Sequence, residues 1–335
     1  MPDAPVLVTH PWCNAHDTGP AHPESRARLP AVLEALRRDP VLAAGGLREV
    51  EARPARLQDL LLVHTPEHVA RIERAGKRAQ EMGGIVWLDP DTAVSEASFE
   101  AALASAGCAI GAVEQVMGGA TGAFAACRPP GHHATAGEAM GFCLFDNVAI
   151  AARYAQRRLG IERVLVVDWD VHHGNGTQEI FWEDPSVYLL SLHLWPHYPG
   201  TGAASERGGG PAAGTVRNVP LAPGTSAAEY RRTFSASLGS ALEEFSPELV
   251  LVSSGFDCLA GDPLGGLELD PEDLHALAAE LVDRTRAAAG GRVAAVLEGG
   301  YVPERMARAA VNVLRAYAGL PAAVAAEDQP PAPMA

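Results

Sequence analysis

The segment "VLVVDWDVHHGNG", residues 164–176, runs from four apolar residues into two aspartates, two histidines and an asparagine. Its first half reads as a strand buried on both faces, because parallel sheets covered by helices carry continuous apolar runs rather than alternation. Its second half sets Asp168, Asp170 and His172 at every second position, so an extended backbone points them to one side. Three more segments repeat the pattern of apolar run, then glycine or proline, then reactive side chain. "AFAACRPPGHHA" (123–134) ends on His132 and His133, "VLVSSGFDC" (250–258) on Asp257, and "AAVLEGGY" (294–301) on Tyr301.

Further strands are predicted at 6–9 and 187–193, and the four segments place strands over 122–127, 163–168, 249–254 and 292–298. Amphipathic, alanine-rich stretches at 95–117, 146–159, 226–245 and 271–289 predict helices between them. Strands alternating with helices imply one α/β domain, with a mostly parallel sheet of about eight strands and helices on both faces. Open parallel sheets bind ligands beyond the carboxyl ends of their strands, so the four reactive groups are expected on one rim. The glycine-rich stretch 199–214 has the composition of a linker. Candidate site residues lie on both sides of it, however, so it is read as a long surface loop. The catalytic domain is expected to span 1–320, and the Pro- and Ala-rich tail, 321–335, to be disordered.

Composition narrows the function classes. The 335 residues are 47% hydrophobic and 20% charged, as in an ordinary globular protein, with a net charge of −15. That charge argues against nucleic acid, whose phosphates need a basic surface, and suits a cationic substrate. No apolar run reaches membrane-spanning length, and no basic-then-apolar leader opens the sequence. Five cysteines with no CxxC pair fit reduced thiols, so a cytoplasmic setting is expected.

Asp170 and His172, joined by Asp257 from another strand, make a set of three nitrogen and oxygen donors. Three protein ligands with an open position describe a catalytic ion site rather than a closed structural one. Zinc suits these donors; iron(II), cobalt and manganese also accept them. A histidine acting as a base needs its second nitrogen held, and Asp168 and Asn175 are the available partners. A carboxylate partner raises imidazole basicity more than an amide does, so His132 and His133 should differ in pKa. Tyr301, following two glycines, could hold an oxyanion.

These residues and their neighbouring strings resemble the zinc-dependent histone deacetylase family of the arginase–deacetylase superfamily. The strings are "RPPGHHA", "GFCLFDNVAIAA", "DWDVHHGNGTQ", "SLH", "SSGFDCLAGDPLGG" and "LEGGY", and the similarity runs from about 22 to about 316. "RPPGHH", Asn175 and "LEGGY" look like the class II branch, with its bacterial deacetylase-like amidohydrolases and acetylpolyamine amidohydrolases. The resemblance implies Asp170, His172 and Asp257 as metal ligands and His133 as general base and acid, oriented by Asn175. It implies His132 as an electrostatic partner held by Asp168, and Tyr301 polarising the acyl carbonyl. Phe142 and Tyr198 would wall a substrate tunnel, where the family more often has phenylalanine at the place of Tyr198. Gly141, Gly299, Gly300 and Leu264 would border the substrate, and Arg28 would line the pocket behind the metal. Two potassium sites are implied, one at Asp168, Asp170, His172, Ser191 and Leu192, the other at Phe181, Asp184 and Val187.

The expected reaction is hydrolysis of an acylated lysine side chain in a protein or peptide. The alternative substrate is an acetylpolyamine, which presents the same acylated amine on an aliphatic stem. Leu264 stands where one polyamine-selective relative has an acid, which leans toward acyl-lysine. An arginase-like ureohydrolase would want a two-manganese cluster, and a non-catalytic metal-binding module would be expected to lose a role-bearing residue. A homo-oligomer is left open. His64 and His68 read as a loop residue and a helix residue after the Thr65 cap, not as ligands. Cys143 and Cys258 read as small core residues, and 85–96 as a loop beside the site or a plain one.

Overall fold

The computed structural model describes residues 4–323. In chain order the elements are β1 (Val6–Thr9), α1 (Arg28–Arg38), β2 (Arg48–Glu51), α2 (Leu57–Leu60), α3 (Pro66–Met82), β3 (Val86–Trp87), β4 (Ala93–Val94), α4 (Ser98–Met117) and β5 (Ala123–Ala125). Then follow α5 (Asn147–Arg158), β6 (Val164–Asp168), α6 (Asn175–Ile180), β7 (Val187–Leu194), β8 (Val216–Leu221), α7 (Ala227–Glu244), β9 (Leu249–Ser254), α8 (Pro271–Ala289), β10 (Val293–Leu297) and α9 (Pro303–Tyr317). Eight strands form one sheet in the order β2-β1-β5-β10-β9-β6-β7-β8, and every neighbouring pair is parallel. β3 and β4 form a separate antiparallel ribbon. This is the expected single α/β domain. The expected tail falls, from residue 324 onward, outside the described residues.

Helices cover both faces because the central strands are apolar all along. β6, β7, β9 and β10 are buried at every position. On one side α1 packs on α9, α9 on α8, and α8 on α7; on the other α4 packs on α5 and lies across β1, β5 and β10. Local chemistry sets the helix starts. Thr65 Oγ1 accepts the His68 N–H at 3.2 Å and Pro66 opens α3. The Asp146 carboxylate accepts the Ala149 N–H at 2.9 Å to cap α5. The 199–214 stretch is a loop of the same domain, tied down where Glu206 accepts the N–H groups of Gly202 and Ala203.

Parallel alignment puts the carboxyl ends of β5, β6, β9 and β10 on one rim. Behind that rim lies a fully buried charge cluster. Glu24 accepts Arg28 Nη1 at 2.8 Å, Arg128 Nε at 2.5 Å and Arg128 Nη2 at 2.6 Å, and all three residues are 0% exposed. Burial opposes the charge on Glu24, but the two guanidinium groups outweigh it and hold the carboxyl at about 2. Arg28 in turn donates to the carbonyls of Gly300 (2.6 Å) and Glu298 (2.5 Å), bracing the β10 end.

Glu24→Gln strips two buried cations of their counter-charge and is expected to cost about 3–5 kcal/mol. A depressed carboxyl contributes stability above its ordinary value of 4.5 that is lost as pH falls toward about 2. The gap between wild type and variant should therefore be full at pH 7 and shrink below 4.5. Urea denaturation at stepped pH measures it; equal stability at pH 7 would contradict this account.

Candidate active site

The β6 strand ends at Asp168, and the chain then bends through 170–172, where the Asp168 and Asp170 carboxylates accept the N–H groups of Asp170 and His172; these bends, and not the extended run expected from the spacing, bring Asp170 and His172 to Asp257 from the β9 end. The three offer donor atoms all within 4.8 Å of one another. His172 Nδ1 lies 3.0 Å from Asp170 Oδ1 and 3.2 Å from Asp257 Oδ2. Asp170 and Asp257 are both 0% exposed. Burial, then the charge of Asp170, pushes the Asp257 carboxyl up to about 7. Two carboxylates packed this closely in an apolar interior call for a cation between them.

Further observations fit an ion to this set. Asp257 Oδ2 is buried and lacks an aligned hydrogen-bond donor among the described residues. The other carboxylate oxygens are held from behind: Asp257 Oδ1 by the Val171 N–H (2.9 Å) and Asp170 Oδ2 by the Gly299 N–H (2.9 Å). Gly255 and Gly299 press directly on these carboxylates. A Cβ at Gly255 would collide with Asp170, and one at Gly299 with both Asp257 and Asp170. The donor types suit zinc and similar divalent ions.

The tandem histidines sit in a turn with their rings side by side, centroids 4.1 Å apart, where an extended backbone would have sent them apart, and each takes a different partner. His132 Nδ1 donates to Asp168 Oδ2 at 2.9 Å, and His133 Nδ1 donates to Asn175 Oδ1 at 2.7 Å. Burial lowers the basicity of both rings. For His132 it is outweighed by the charges of Asp170 and Asp168, and the ring is held well above its ordinary range. For His133 burial dominates, reinforced by positive charge on His132 and His172, so the ring is pushed well below. The divergence expected of a carboxylate and an amide partner is therefore present.

A cavity of about 270 Å³ opens above these groups, lined by His133, Gly141, Phe142, His172, Tyr198, Leu264 and Tyr301 together with Asp91, His197, Pro263 and Gly265. Phe142 adopts a left-handed backbone, φ 68°, rare for a bulky residue and a common mark of functional positions. Its ring meets Tyr301 edge-on at 5.8 Å. Tyr301 is fixed through its N–H, which donates to Asp262 Oδ2 at 2.7 Å, and by the Arg28 guanidinium 5.1 Å from its ring. Arg28, Gly299 and Gly300 lie behind the cavity, supporting its floor instead of lining it.

The residues matched to potassium sites fall at the β6 and β7 ends and in the turn between α6 and β7. Asp168 pairs with Ser191 in register, beside Leu192. Phe181 and Asp184 form a turn, the Asp184 N–H donating to the Phe181 carbonyl at 3.0 Å, and Val187 begins β7. The Asp184 carboxylate is itself paired with Arg153.

Two site residues, His197 and Glu298, escaped the sequence reading. Asp91, in the 85–96 stretch read as a loop beside the site or a plain one, lines the cavity. Its neighbour Asp89 accepts the N–H groups of Asp91 and Thr92 at 3.0 and 2.5 Å, so the Asp-x-Asp-Thr spacing was the available signal. His197 stacks on His172 at 5.1 Å and donates from Nε2 to the Leu264 carbonyl at 2.9 Å. Glu298, fully buried, accepts the N–H of Gly131 (2.6 Å) and of His132 (3.2 Å) on one oxygen. His64 and His68 stay away from the ion set. His64 Nε2 accepts the Asp146 N–H and His68 Nε2 donates to the Leu144 carbonyl. Cys143 and Cys258 are buried, and burial pushes both thiols well above their ordinary range.

The histone deacetylase domain matches residues 22–317, and the chain belongs to the histone deacetylase family. It is 38% identical to the histone deacetylase-like amidohydrolase of Pseudomonas aeruginosa, covering 90% of this chain and 77% of that one. It is 38% identical to the mouse polyamine deacetylase HDAC10, covering 89% of this chain and 45% of the mouse protein. Among solved structures, that of the HDA15 HD domain superposes with a TM-score of 0.89 at 34% identity, over 97% of this chain and 91% of that one. Family membership makes the protein a hydrolase of the deacetylase type. No helix among the described residues is long and apolar enough to cross a membrane.

Gly299→Ala should drive the Asp170 and Asp257 carboxylates apart and weaken zinc affinity by at least about tenfold, as disruption of residues supporting ligands commonly does. Titrating metal-free protein with zinc against a competing chelator measures this, with circular dichroism reporting the fold. Unchanged affinity in a folded variant would contradict the cradle described.

Proposed function

We propose that the protein hydrolyses acylated primary amines, and acylated lysine side chains first, at a single divalent-ion site. The observation that carries this is the neutral, amide-tethered His133 beside the Asp170–His172–Asp257 set on the floor of a narrow cavity. Water adds to the acyl carbon, the C–N bond breaks, and the products are a carboxylic acid and a free amine. A divalent ion held by the three ligands would supply the Lewis acid that polarises the carbonyl and acidifies the water; zinc suits the donors best.

The protein's own groups do the rest. The Asn175 carbonyl holds the His133 proton on Nδ1, which leaves Nε2 as the basic nitrogen. From there His133 takes a proton from the water and returns one to the leaving amine. His132, held cationic by Asp168 and Asp170, keeps positive charge beside a reaction that develops negative charge. The Tyr301 phenol, held neutral chiefly by burial, donates to the carbonyl oxygen. Potassium is proposed at the two sets of carbonyl and side-chain oxygens at the β6–β7 ends. A cytoplasmic setting is proposed from five free, buried cysteines.

Leu264 supports acyl-lysine over acetylpolyamine, because it gives the cavity an apolar border suited to a lysine stem. Asp91 favours the second reading, since a carboxylate at the mouth would meet a distal ammonium, and the mouse relative bears the name polyamine deacetylase.

Three outcomes are expected. Tyr301→Phe should lower kcat on the order of 10²–10³ with zinc content retained; a near-normal kcat would put the oxyanion contact elsewhere. A panel of acyl-lysine peptides against acetylspermidine and acetylputrescine should favour the peptides, and faster turnover of both polyamines than of every peptide would reverse the order of the two readings. Leu264→Glu should move the ratio of kcat/KM values toward polyamines by about 1–2 kcal/mol, and Asp91→Asn should move it the other way.

A further inference from the structure

Two thiols meet far from the cavity. Cys13 Sγ lies 3.8 Å from Cys108 Sγ, and both residues are 0% exposed. Cys108 belongs to α4 and is held in place by that long helix. Cys13 belongs to a single 3₁₀ turn, Pro11–Asn14, between β1 and the segment that leads to Glu24. It is the buried residue of that turn, while Pro11 and Trp12 are exposed. The backbone bonds of the turn close on the turn itself: the Cys13 N–H donates to the His10 carbonyl at 3.0 Å and the Ala15 N–H to the Trp12 carbonyl at 2.9 Å. Residues 10–15 can therefore lift as a unit and keep these bonds, and local openings of this kind need far less free energy than global unfolding.

The two sulfurs are chemically unequal. Cys13 is held below the ordinary thiol range, first by the Cys108 thiol, which donates to it; burial opposes this, and the backbone N–H groups of Arg128 and His10 add to it. Cys108 is pushed well above that range by burial and then by the same bond to Cys13. The thiolate is the reactive form, so Cys13 reacts first and Cys108 second. Neither thiol lines the cavity, and the deacylation chemistry uses neither. We infer that Cys13 and Cys108 form an oxidation site, which a hydroperoxide converts into a disulfide that staples the 10–15 turn to α4.

The Cys13 thiolate attacks an oxygen of hydrogen peroxide, the O–O bond breaks, and Cys13 becomes a sulfenic acid; the hydroxide released takes up the proton that Cys13 lost. The Cys108 sulfur, giving up its proton, then attacks the Cys13 sulfur. The S–S bond forms, the S–O bond breaks, and water leaves. Together the two thiols lose two electrons and two protons, and one peroxide becomes two waters. Closing from 3.8 Å to the roughly 2.05 Å of a disulfide asks the turn, not the helix, to move. The new bond joins positions 95 apart in sequence, a long loop whose closure restricts the unfolded chain. The inference stands apart from the deacylase reading and does not depend on it.

The test treats the reduced, folded chain with hydrogen peroxide, alkylates it in denaturant and maps its unreduced peptides by mass spectrometry. The expected result is a peptide pair joined through Cys13 and Cys108 and separated by dithiothreitol, with Cys127, Cys143 and Cys258 still alkylated. The melting temperature should rise on oxidation and return on reduction. In Cys108→Ser, Cys13 should stop at a sulfenic acid that dimedone traps, and in Cys127→Ser the crosslink should form as in wild type. Retention of all five thiols at a peroxide dose that oxidises the urea-unfolded chain overturns the inference, as does a crosslink from Cys13 to Cys127. A Cys13–Cys108 crosslink that leaves the melting temperature unchanged or lowers it overturns the staple. Peptide mapping of wild type decides the first question even where a variant fails to fold.

Discussion

Negative charge held in an apolar sheet end is the constraint on which the rest of this structure depends. Asp168, Asp170, Asp257 and Glu298, at the ends of β6, β9 and β10, are all 0% exposed. An unpaired carboxylate in such a place costs several kcal/mol, so each oxygen must find a donor or a cation. The surrounding sequence is largely a set of answers to that demand. Backbone N–H groups of Val171, His172 and Gly299 are spent on Asp257 and Asp170, and His132 is recruited to Asp168. Glycine appears where the carboxylates leave no room for a side chain. Two oxygens are left without an aligned donor among the described residues, Glu298 Oε1 and Asp257 Oδ2, and the second belongs to the set that could hold an ion.

The same crowding separates the two histidines chemically though they are adjacent in sequence. One faces carboxylates and becomes a fixed cation. The other faces an amide, stays neutral, and is kept so partly by its neighbour's charge. Glu298 couples them mechanically. By accepting the peptide N–H groups of Gly131 and His132, it holds the loop from β5 against the end of β10.

Much of this was legible in the amino-acid sequence, and for a physical reason. Strands buried on both faces leave unbroken apolar runs, and a loop that must turn sharply and then present a reactive group leaves glycine or proline followed by that group. The rim formed by "AFAACRPPGHHA", "VLVVDWDVHHGNG", "VLVSSGFDC" and "AAVLEGGY" was therefore visible before any coordinates. Edge strands leave no such trace. β2 is "REVE", mostly exposed, and β8 is "VRNVPL", interrupted by Pro220, which an edge tolerates. His197 and Glu298 were hidden, and Asp91 was legible only as part of a loop beside the site or a plain one, because their importance depends on which distant loop lies opposite. Glu298 sits inside a recognised motif, but only the path of residues 128–132 makes it a loop anchor. His197 matters because the turn carrying it lies over His172 and beside Leu264.

The strand order has a further bearing on how such a molecule is made. β9 and β10 are the last strands among the described residues, yet they occupy the middle of the sheet, between β5 and β6. A growing polypeptide that has passed β8 but not β9 lacks the two strands that join β5 to β6 in the sheet. Asp170 and His172 then wait without their third partner. The two late strands join the halves, and their ends carry Asp257, Glu298 and Tyr301. The same two strands thus complete both the sheet and the ion-ligand set, and a chain stopped short of them lacks the neighbours of β5 and β6, an open edge of the kind that invites association with other chains.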